Sequence, residues 1–568
     1  MPGGLSPVSM RMPFAWGRVL LLVLLVCSGP AQASGEAAIA SAHPLATAAG
    51  KEILDHGGNA FDAAVAVAAV LGVVEPYSSG LGGGGFFLLH RARDGFEAMI
   101  DARETAPAAA TPARYLDRRG NPLPRATLDG PTAAAIPGVP AGLAHLAREY
   151  GRLPLSRSLA PAIRVARDGF PVDERYRRMA QVRFLGLHGQ EQAARQFLVD
   201  GAAPEVGHLL KQPRLAATLE MLARAGSAGF YRGPVARRMV AAVRQAGGYW
   251  RESDLARYRV KERKPLAFDY KGMRIVSAPP PSAGGLALAE SLNILARYDL
   301  DHAGQARRMH WVAEALRRAY HDRARYLGDP DYVAIPAARL MSHAYADRRA
   351  ASIEAQTATP SDQFGPLTDV RQGDNTTHFS IVDGEGNRVA ATLSINTLFG
   401  SCFVAGDTGV LLNNEMDDFA VSTHAANTYG LVGSRANLVA PGKRPLSSMS
   451  PTFVEDKRGV LVLGTPGGSR IISMVLLAIL GYAAQPTVDP NALVAAPRYH
   501  HQYLPDQIEV EPDAFAQDVL DDLQLRGHVV QVGERQWGDM QAVWVDKATG
   551  KAVAASDPRG QGSGMAWY

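Results

Sequence analysis

The sequence predicts a mixed α/β chain of the α+β kind, with helices gathered in its middle and strands towards its end. Three observations carry that prediction. From about residue 130 to 350 the apolar residues recur at helical spacing, as in VPAGLAHLAREYG, RLAATLEMLARAG and HWVAEALRRAYHDRARYLG. After residue 376 they alternate instead, and THFSIVD and RVAATLSIN flank a DGEGN turn, the pattern of a hairpin. At 568 residues and 47% hydrophobic, the chain has material for several domains or for one large layered core.

The elements follow in chain order. Arg11 and Arg18 precede the apolar run VLLLVLLVC, then Gly29-Pro30 and the small-residue site Ala31-Gln32-Ala33. Nine apolar residues are too few to span a bilayer, but a secretory signal needs only about 7–15. Residues 1–33 are therefore expected to be a signal peptide cleaved after Ala33, giving a periplasmic or secreted protein with no stable membrane anchor. A lipid anchor on Cys27 competes, but bulky Val26 stands where such signals carry a small residue. Only Cys402 then remains, so no internal disulfide is expected. HPLATAAGKEILDHGG reads as an amphipathic helix stopped by Gly57-Gly58, and NAFDAAVAVAAVLGVV as a buried core helix with Asn59 as its N-cap. SSGLGGGGFFLLHRA turns a glycine-rich loop into a strand, with EAMIDARE as its partner. Near the end, PTFVED and GVLVLG form a second hairpin and SRIISMVLLAILGYA an apolar helix.

Several functions are disfavoured. Lys plus Arg number 59 against 55 Asp plus Glu, without a basic run, so nucleic acid is not an expected partner. There is no zinc-spaced Cys/His cluster and no HExxH helix, and His500-His501 reads as a solvated turn. Gly80, Gly82 and Gly85 spell GxGxxG but lead into a strand where a dinucleotide site needs a helix; close backbone packing is the better reading. No GxSxG elbow is present. Asn375-Thr376-Thr377 spells a glycosylation sequon, a weak match.

What remains is GDNTTHFSIVD, residues 373–383. Downstream stand SIN (394–396), LLNNEMDDF (411–419), PLSSMSPT (445–452) and GTPGGSR (464–470), and upstream HPLAT, GGNAFDAAVA, GVVEPYSSGLGGGGF and DARETAP. In this order the segments closely resemble the gamma-glutamyltranspeptidase family, also called gamma-glutamyltransferases or glutathione hydrolases, within the N-terminal-nucleophile hydrolase superfamily. The resemblance covers essentially the whole mature chain. It implies an αββα sandwich, two stacked sheets between helical layers, built from both processed subunits. It also implies a precursor that cuts itself between Asn375 and Thr376, giving a large subunit of 34–375 and a small catalytic subunit of 376–568.

A threonine suits that position chemically. Its hydroxyl can attack the preceding carbonyl by an N-to-O shift, and hydrolysis of the ester frees both the hydroxyl and an α-amine with pKa around 7.7–8.0. One residue then carries nucleophile and base. The resemblance further implies that Arg103 binds the substrate α-carboxylate with Ser447 and Ser448, and that Asp418, with Glu415 and Asn396, holds the α-ammonium. It makes Gly467 and Gly468 the oxyanion hole, and Tyr429 a lid residue over the pocket. Ser394 stands where members commonly carry threonine and would orient Thr376. Glutathione or another γ-glutamyl amide would be the donor, with water, an amino acid or a dipeptide resolving the ester, and no metal or organic cofactor. Two alternatives differ in class: a glutaryl-cephalosporin acylase of the same family, and a non-catalytic homologue that never matures. Asp418 and Glu415 argue for an amine-bearing substrate, and the presence of both Thr376 and Arg103 argues against a dead homologue.

Overall fold

The computed structural model describes residues 3–5, 35–365, 375–422 and 435–568. Gly35–Tyr568 form one compact unit. Its two large sheets use, in chain order, β1 (Ala37–Ser41), β2 (Gly84–Arg91), β3 (Phe96–Asp101), β4 (Lys261–Arg263), β5 (Leu266–Tyr270), β6 (Met273–Ser277), β7 (Thr376–Val382), β8 (Arg388–Ser394), β9 (Thr452–Glu455), β10 (Gly459–Gly464), β11 (Gln541–Asp546), β12 (Ala552–Ser556) and β13 (Ser563–Trp567). The first sheet runs β13-β1-β7-β8-β2-β3-β4 and the second β12-β11-β10-β9-β6-β5. Every pair in both is antiparallel.

Alternation along β7 fixes the layering. Phe379 and Ile381 enter a core shared with helices α1 (Pro44–Asp55), α2 (Ala60–Val74), α3 (Leu155–Asp168) and α4 (Pro213–Ala225). Thr376, His378 and Ser380 lie on the opposite face, towards the second sheet. The sheets meet so closely there that a Cβ on Gly464 of β10 would fall 2.3 Å from the His378 ring. Beyond the second sheet lie α5 (Gly284–Leu295), α6 (Gln305–Tyr326) and α7 (Arg470–Ala484), which share its core. The order is helix, sheet, sheet, helix.

Local signals place several elements where the sequence predicts them. Asn59 caps α2 by accepting from the Phe61 and Asp62 amides, and Asp62 returns a bond to the Asn59 amide at 3.1 Å. Both expected hairpins form, β7–β8 and β9–β10. Three expectations need correction or extension. The predicted helical stretch is interrupted by β4, β5 and β6, of which β5 and β6 form a hairpin closed by Lys271-Gly272, both at positive φ (47° and 78°). Strands β1 and β13 also join the first sheet. His500 and His501 are not solvated: both are buried, His500 accepting or donating to Ser473 Oγ at 2.7 Å and His501 to Asp506 at 3.3 Å. Cys402 is buried and free, and burial pushes its thiol up to about 11.

Candidate active site

Thr376 is the first residue of β7 and pairs in register with Ser394, the last residue of β8, whose other neighbour is Gly84 of β2. The Ser394 hydroxyl donates to the Asn375 carbonyl at 3.0 Å and accepts from the Asn396 amide at 2.7 Å. Asn396 sits at φ +75°, and its Nδ2 donates to the Asn414 carbonyl at 3.0 Å. The peptide before Thr376 is therefore gripped at its carbonyl oxygen by a side chain from the adjacent strand.

Thr376 opens onto a cleft lined also by Arg103, Ser394, Asn396, Glu415, Asp418, Ser447, Ser448, Met449, Gly468 and Ile471. Arg103, just beyond β3, is fully buried. Its Nη1 lies 2.8 Å from Glu415 and 3.4 Å from Glu104, and its Nη2 donates to Asp418. The Pro445 and Leu446 carbonyls, at 3.4 and 3.3 Å, complete the cage. Burial opposes the charge on Arg103, but Glu415, Asp418 and Glu104 outweigh it and hold the guanidinium firmly protonated. The same burial pushes Glu415 and Glu104 above the usual carboxylate range, against the pull of Arg103, because one cation cannot neutralise three anions.

The glycine-rich loop explains itself here. A Cβ on Gly84 would fall 2.3 Å from Glu104 Oε2, and one on Gly82 would fall 1.8 Å from the Leu411 carbonyl, so the loop threads between the arginine cage and the LLNNE segment with no room for side chains. This is backbone packing. On the far wall, Gly467 and Gly468 adopt φ of +135° and +56° between β10 and α7, a pair of conformations that side chains resist. Ser448 Oγ accepts from Arg323 Nη2 at 3.1 Å, and Ser447 Oγ accepts from the Met449 amide at 3.1 Å.

A match to the family model described as Gamma-glutamyltranspeptidase runs over residues 46–567. The chain belongs to the gamma-glutamyltranspeptidase family. Among curated relatives, it is 42% identical over 532 residues to a glutathione hydrolase proenzyme of Escherichia coli K12, covering 92% of this chain and 90% of that one. It is 41% identical over 523 residues to the Pseudomonas aeruginosa glutathione hydrolase proenzyme, covering 90% and 91%. Among solved structures, a cephalosporin acylase from Bacillus halodurans superposes with TM-score 0.82 at 28% identity, covering 97% of this chain and 100% of that one. The fold is the family's αββα sandwich of N-terminal-nucleophile hydrolases.

Of the residues that the family resemblance singles out, Thr376, Ser394, Arg103, Asn396, Glu415, Asp418, Ser447, Ser448 and Gly468 all line this one cleft. Gly467 adjoins it in the chain without lining it, Asn375 is held by Ser394, and Tyr429 lies outside the described residues, as does the 1–33 segment apart from residues 3–5. Glu104, Arg323, Met449 and Ile471 were not legible as site residues. Glu104 had a signal, being next to Arg103, whereas Arg323 lies on α6 in an ordinary helical pattern.

Among the described residues one group has metal-ligand geometry, the buried His310, Glu314 and His528. Its carboxylate is already taken by Arg317 at 3.2 Å, Arg318 at 2.5 Å and the Thr359 amide at 3.0 Å, so its donor set fits a hydrogen-bonded strut better than a cation. No helix among the described residues is long and apolar enough to cross a membrane.

Proposed function

We propose that the chain is a glutathione hydrolase and gamma-glutamyltransferase that makes its own nucleophile. The observation that carries this reading is the sharing of one cleft by Thr376, Arg103 and Asp418, while Ser394 grips the carbonyl that precedes Thr376. In the precursor, the Thr376 hydroxyl attacks the Asn375 carbonyl, the C–N bond breaks, and water hydrolyses the resulting ester. Residues 34–375 and 376–568 then form the two subunits of one heterodimer. The Thr376 α-amine is the base that takes the hydroxyl proton.

The γ-glutamyl donor enters as a zwitterion. Its α-carboxylate takes the Arg103 fork with the Ser447 and Ser448 hydroxyls, and its α-ammonium takes Asp418, Glu415 and Asn396. Thr376 Oγ attacks the γ-carbonyl, the oxyanion is held by backbone N–H groups of Gly467 and Gly468, and the leaving amine takes the proton from the Thr376 ammonium. Water then releases glutamate, or an amino acid or dipeptide amine accepts the glutamyl group. Nucleophile, base and oxyanion donors all come from the chain. The acylase reading is the weaker one, because a glutaryl group brings no ammonium to a cleft that presents Asp418 and Glu415. Export by the 1–33 signal completes the proposal.

Intact mass and N-terminal sequencing of the purified protein, beside Thr376→Ala, tests it. Two chains, one beginning Thr376-Thr377-His378, with the variant left uncut and inactive on γ-glutamyl-p-nitroanilide, is the expected result. A variant that still cuts at 375–376 would remove Thr376 from the chemistry.

A further inference from the structure

Cleavage leaves Thr376 as a chain end, and chain ends at the edge of their last pairing fray. Residue 376 is the first residue of β7, so once the preceding peptide is cut its backbone is held by the Ser394 register pair and by whatever fixes residue 377. That residue is fixed from the other side of the sheet. Thr377 Oγ1 donates to Glu75 Oε2 at 2.9 Å, and the Tyr77 hydroxyl donates to Glu75 Oε1 at 3.1 Å. Glu75, Tyr77 and Thr377 are each 1% exposed. Glu75 is the residue that ends α2, where its amide donates to the Leu71 carbonyl at 2.8 Å, so the carboxylate is mounted at the end of a helix buried along nearly its whole length. Arg175, which is ion-paired to Asp539 at 2.5 Å, lies over the Tyr77 ring.

We propose that Glu75 is a positioning residue: by clamping the Thr377 hydroxyl to the end of α2, it holds the backbone of residue 376 in line for attack after the chain is cut. A carboxylate suits the task because it only accepts, and here it accepts one hydroxyl at each oxygen. A glutamine would present its NH2 to one of the two hydroxyls, which would then have to turn and accept instead of donating. The clamp also crosses the cleavage point, since Glu75 belongs to the 34–375 piece and Thr377 to the other. This inference rests on the assignment of Thr376 as the nucleophile.

The test compares wild type with Thr377→Val, Thr377→Ser, Glu75→Gln and Glu75→Gln/Thr377→Val, measuring precursor cleavage by gel, then kcat, KM and Tm of the processed enzymes. Thr377→Val should lower kcat on γ-glutamyl-p-nitroanilide about tenfold or more, the order expected when a reacting group loses its alignment. KM should change little, because the substrate's two charges bind elsewhere. Thr377→Ser, which keeps the hydroxyl, should stay within about twofold of wild type, and the double variant should lose no more than the worse single one. A variant that does not cut at all while Thr377→Ser does would support the clamp at the cleavage step. A Thr377→Val enzyme with wild-type cleavage and kcat but lowered Tm would overturn the proposal and leave the pair a purely structural contact. A wild type that neither cuts nor turns over would instead overturn the nucleophile assignment, and the clamp with it.

Discussion

Replacing Asp418 with Asn keeps the side chain's shape and removes its charge. Asp418 is ion-paired to Arg103, with its side chain 12% exposed. On the proposed function, a γ-glutamyl zwitterion would exchange one internal ion pair for two new ones, carboxylate to Arg103 and ammonium to Asp418. A hydrogen bond to a charged partner contributes about 1.5–3 kcal/mol, which at about 1.4 kcal/mol per decade is roughly 10–150-fold in kcat/KM. The loss should fall mainly on KM, since the ammonium bond is made equally in the ground and transition states. A glutaryl substrate has no ammonium, so it loses nothing, and it meets an Arg103 no longer competed for by Asp418. The assay runs γ-glutamyl-p-nitroanilide and glutaryl-p-nitroanilide side by side on wild type and Asp418→Asn. Preference for the glutamyl compound should shrink by about 10–150-fold. If the two substrates fall together, or if the glutamyl compound keeps its kcat/KM within about threefold, Asp418 does not read the amine and the charge-exchange reasoning fails.

Other outcomes follow from the same geometry. Ser394→Ala removes the hydroxyl that grips the Asn375 carbonyl, and a gel time course should show precursor cleavage slowed about tenfold or more, the order seen when a donor to a reacting carbonyl is lost. His378, His500 and His528, held neutral by burial, have pKa values lowered to about 3, and His501 to about 4. Because the unfolded state binds these protons first, stability is complete above about pH 6.5 and drains away as the pH falls towards those values. The slope is up to about 1.4 kcal/mol per pH unit for each imidazole. Urea midpoints across that window should show His378→Asn with a slope shallower by about one proton, and an unchanged slope would mean the ring is not buried neutral. Glu104 works in the opposite sense. Its folded pKa is raised by burial, so the stability its neutral form contributes at low pH is lost as the pH rises through that value. Glu104→Gln should therefore gain Tm over wild type progressively from about pH 5 to about pH 9, and a constant offset would refute a neutral Glu104.

Elements with local causes were legible from the chain alone. The Asn59 cap, the DGEGN hairpin and the crowded glycines are each decided within a few residues, by side-chain bonds, by period-two alternation and by the absence of a Cβ. The hairpin β5–β6 carried the same kind of signal in Lys271-Gly272, but its strands of five residues lie within a long helical stretch and were absorbed by it. Burial of His500 and His501 had no local mark, because it is produced by Ser473 on α7 and by Asp506 and Arg317 around them. The cleft itself is an encounter across 315 positions between Arg103 and Asp418. Composition and periodicity cannot specify such an encounter. It was the family's ordered motifs, and not any pattern of hydrophobicity, that put those residues side by side before the structure did.

The charge count of the cleft bears on what it admits. One buried guanidinium faces Glu415, Asp418 and Glu104: Asp418 is ion-paired to it, and burial pushes the carboxyls of Glu415 and Glu104 above their usual range. A simple carboxylate ligand that displaced Asp418 from Arg103 would leave the partly buried Asp418 without its counter-ion, which is unfavourable. A simple amine could reach Asp418 only by leaving Arg103 short of its counter-ion. Only a ligand with both charges at the spacing of an α-amino acid can take both partners at once and leave neither alone. On the proposed function, selectivity comes as much from what the cleft penalises as from what it binds, and the γ-carbonyl would be delivered to Thr376 because the zwitterionic end has a single way to sit.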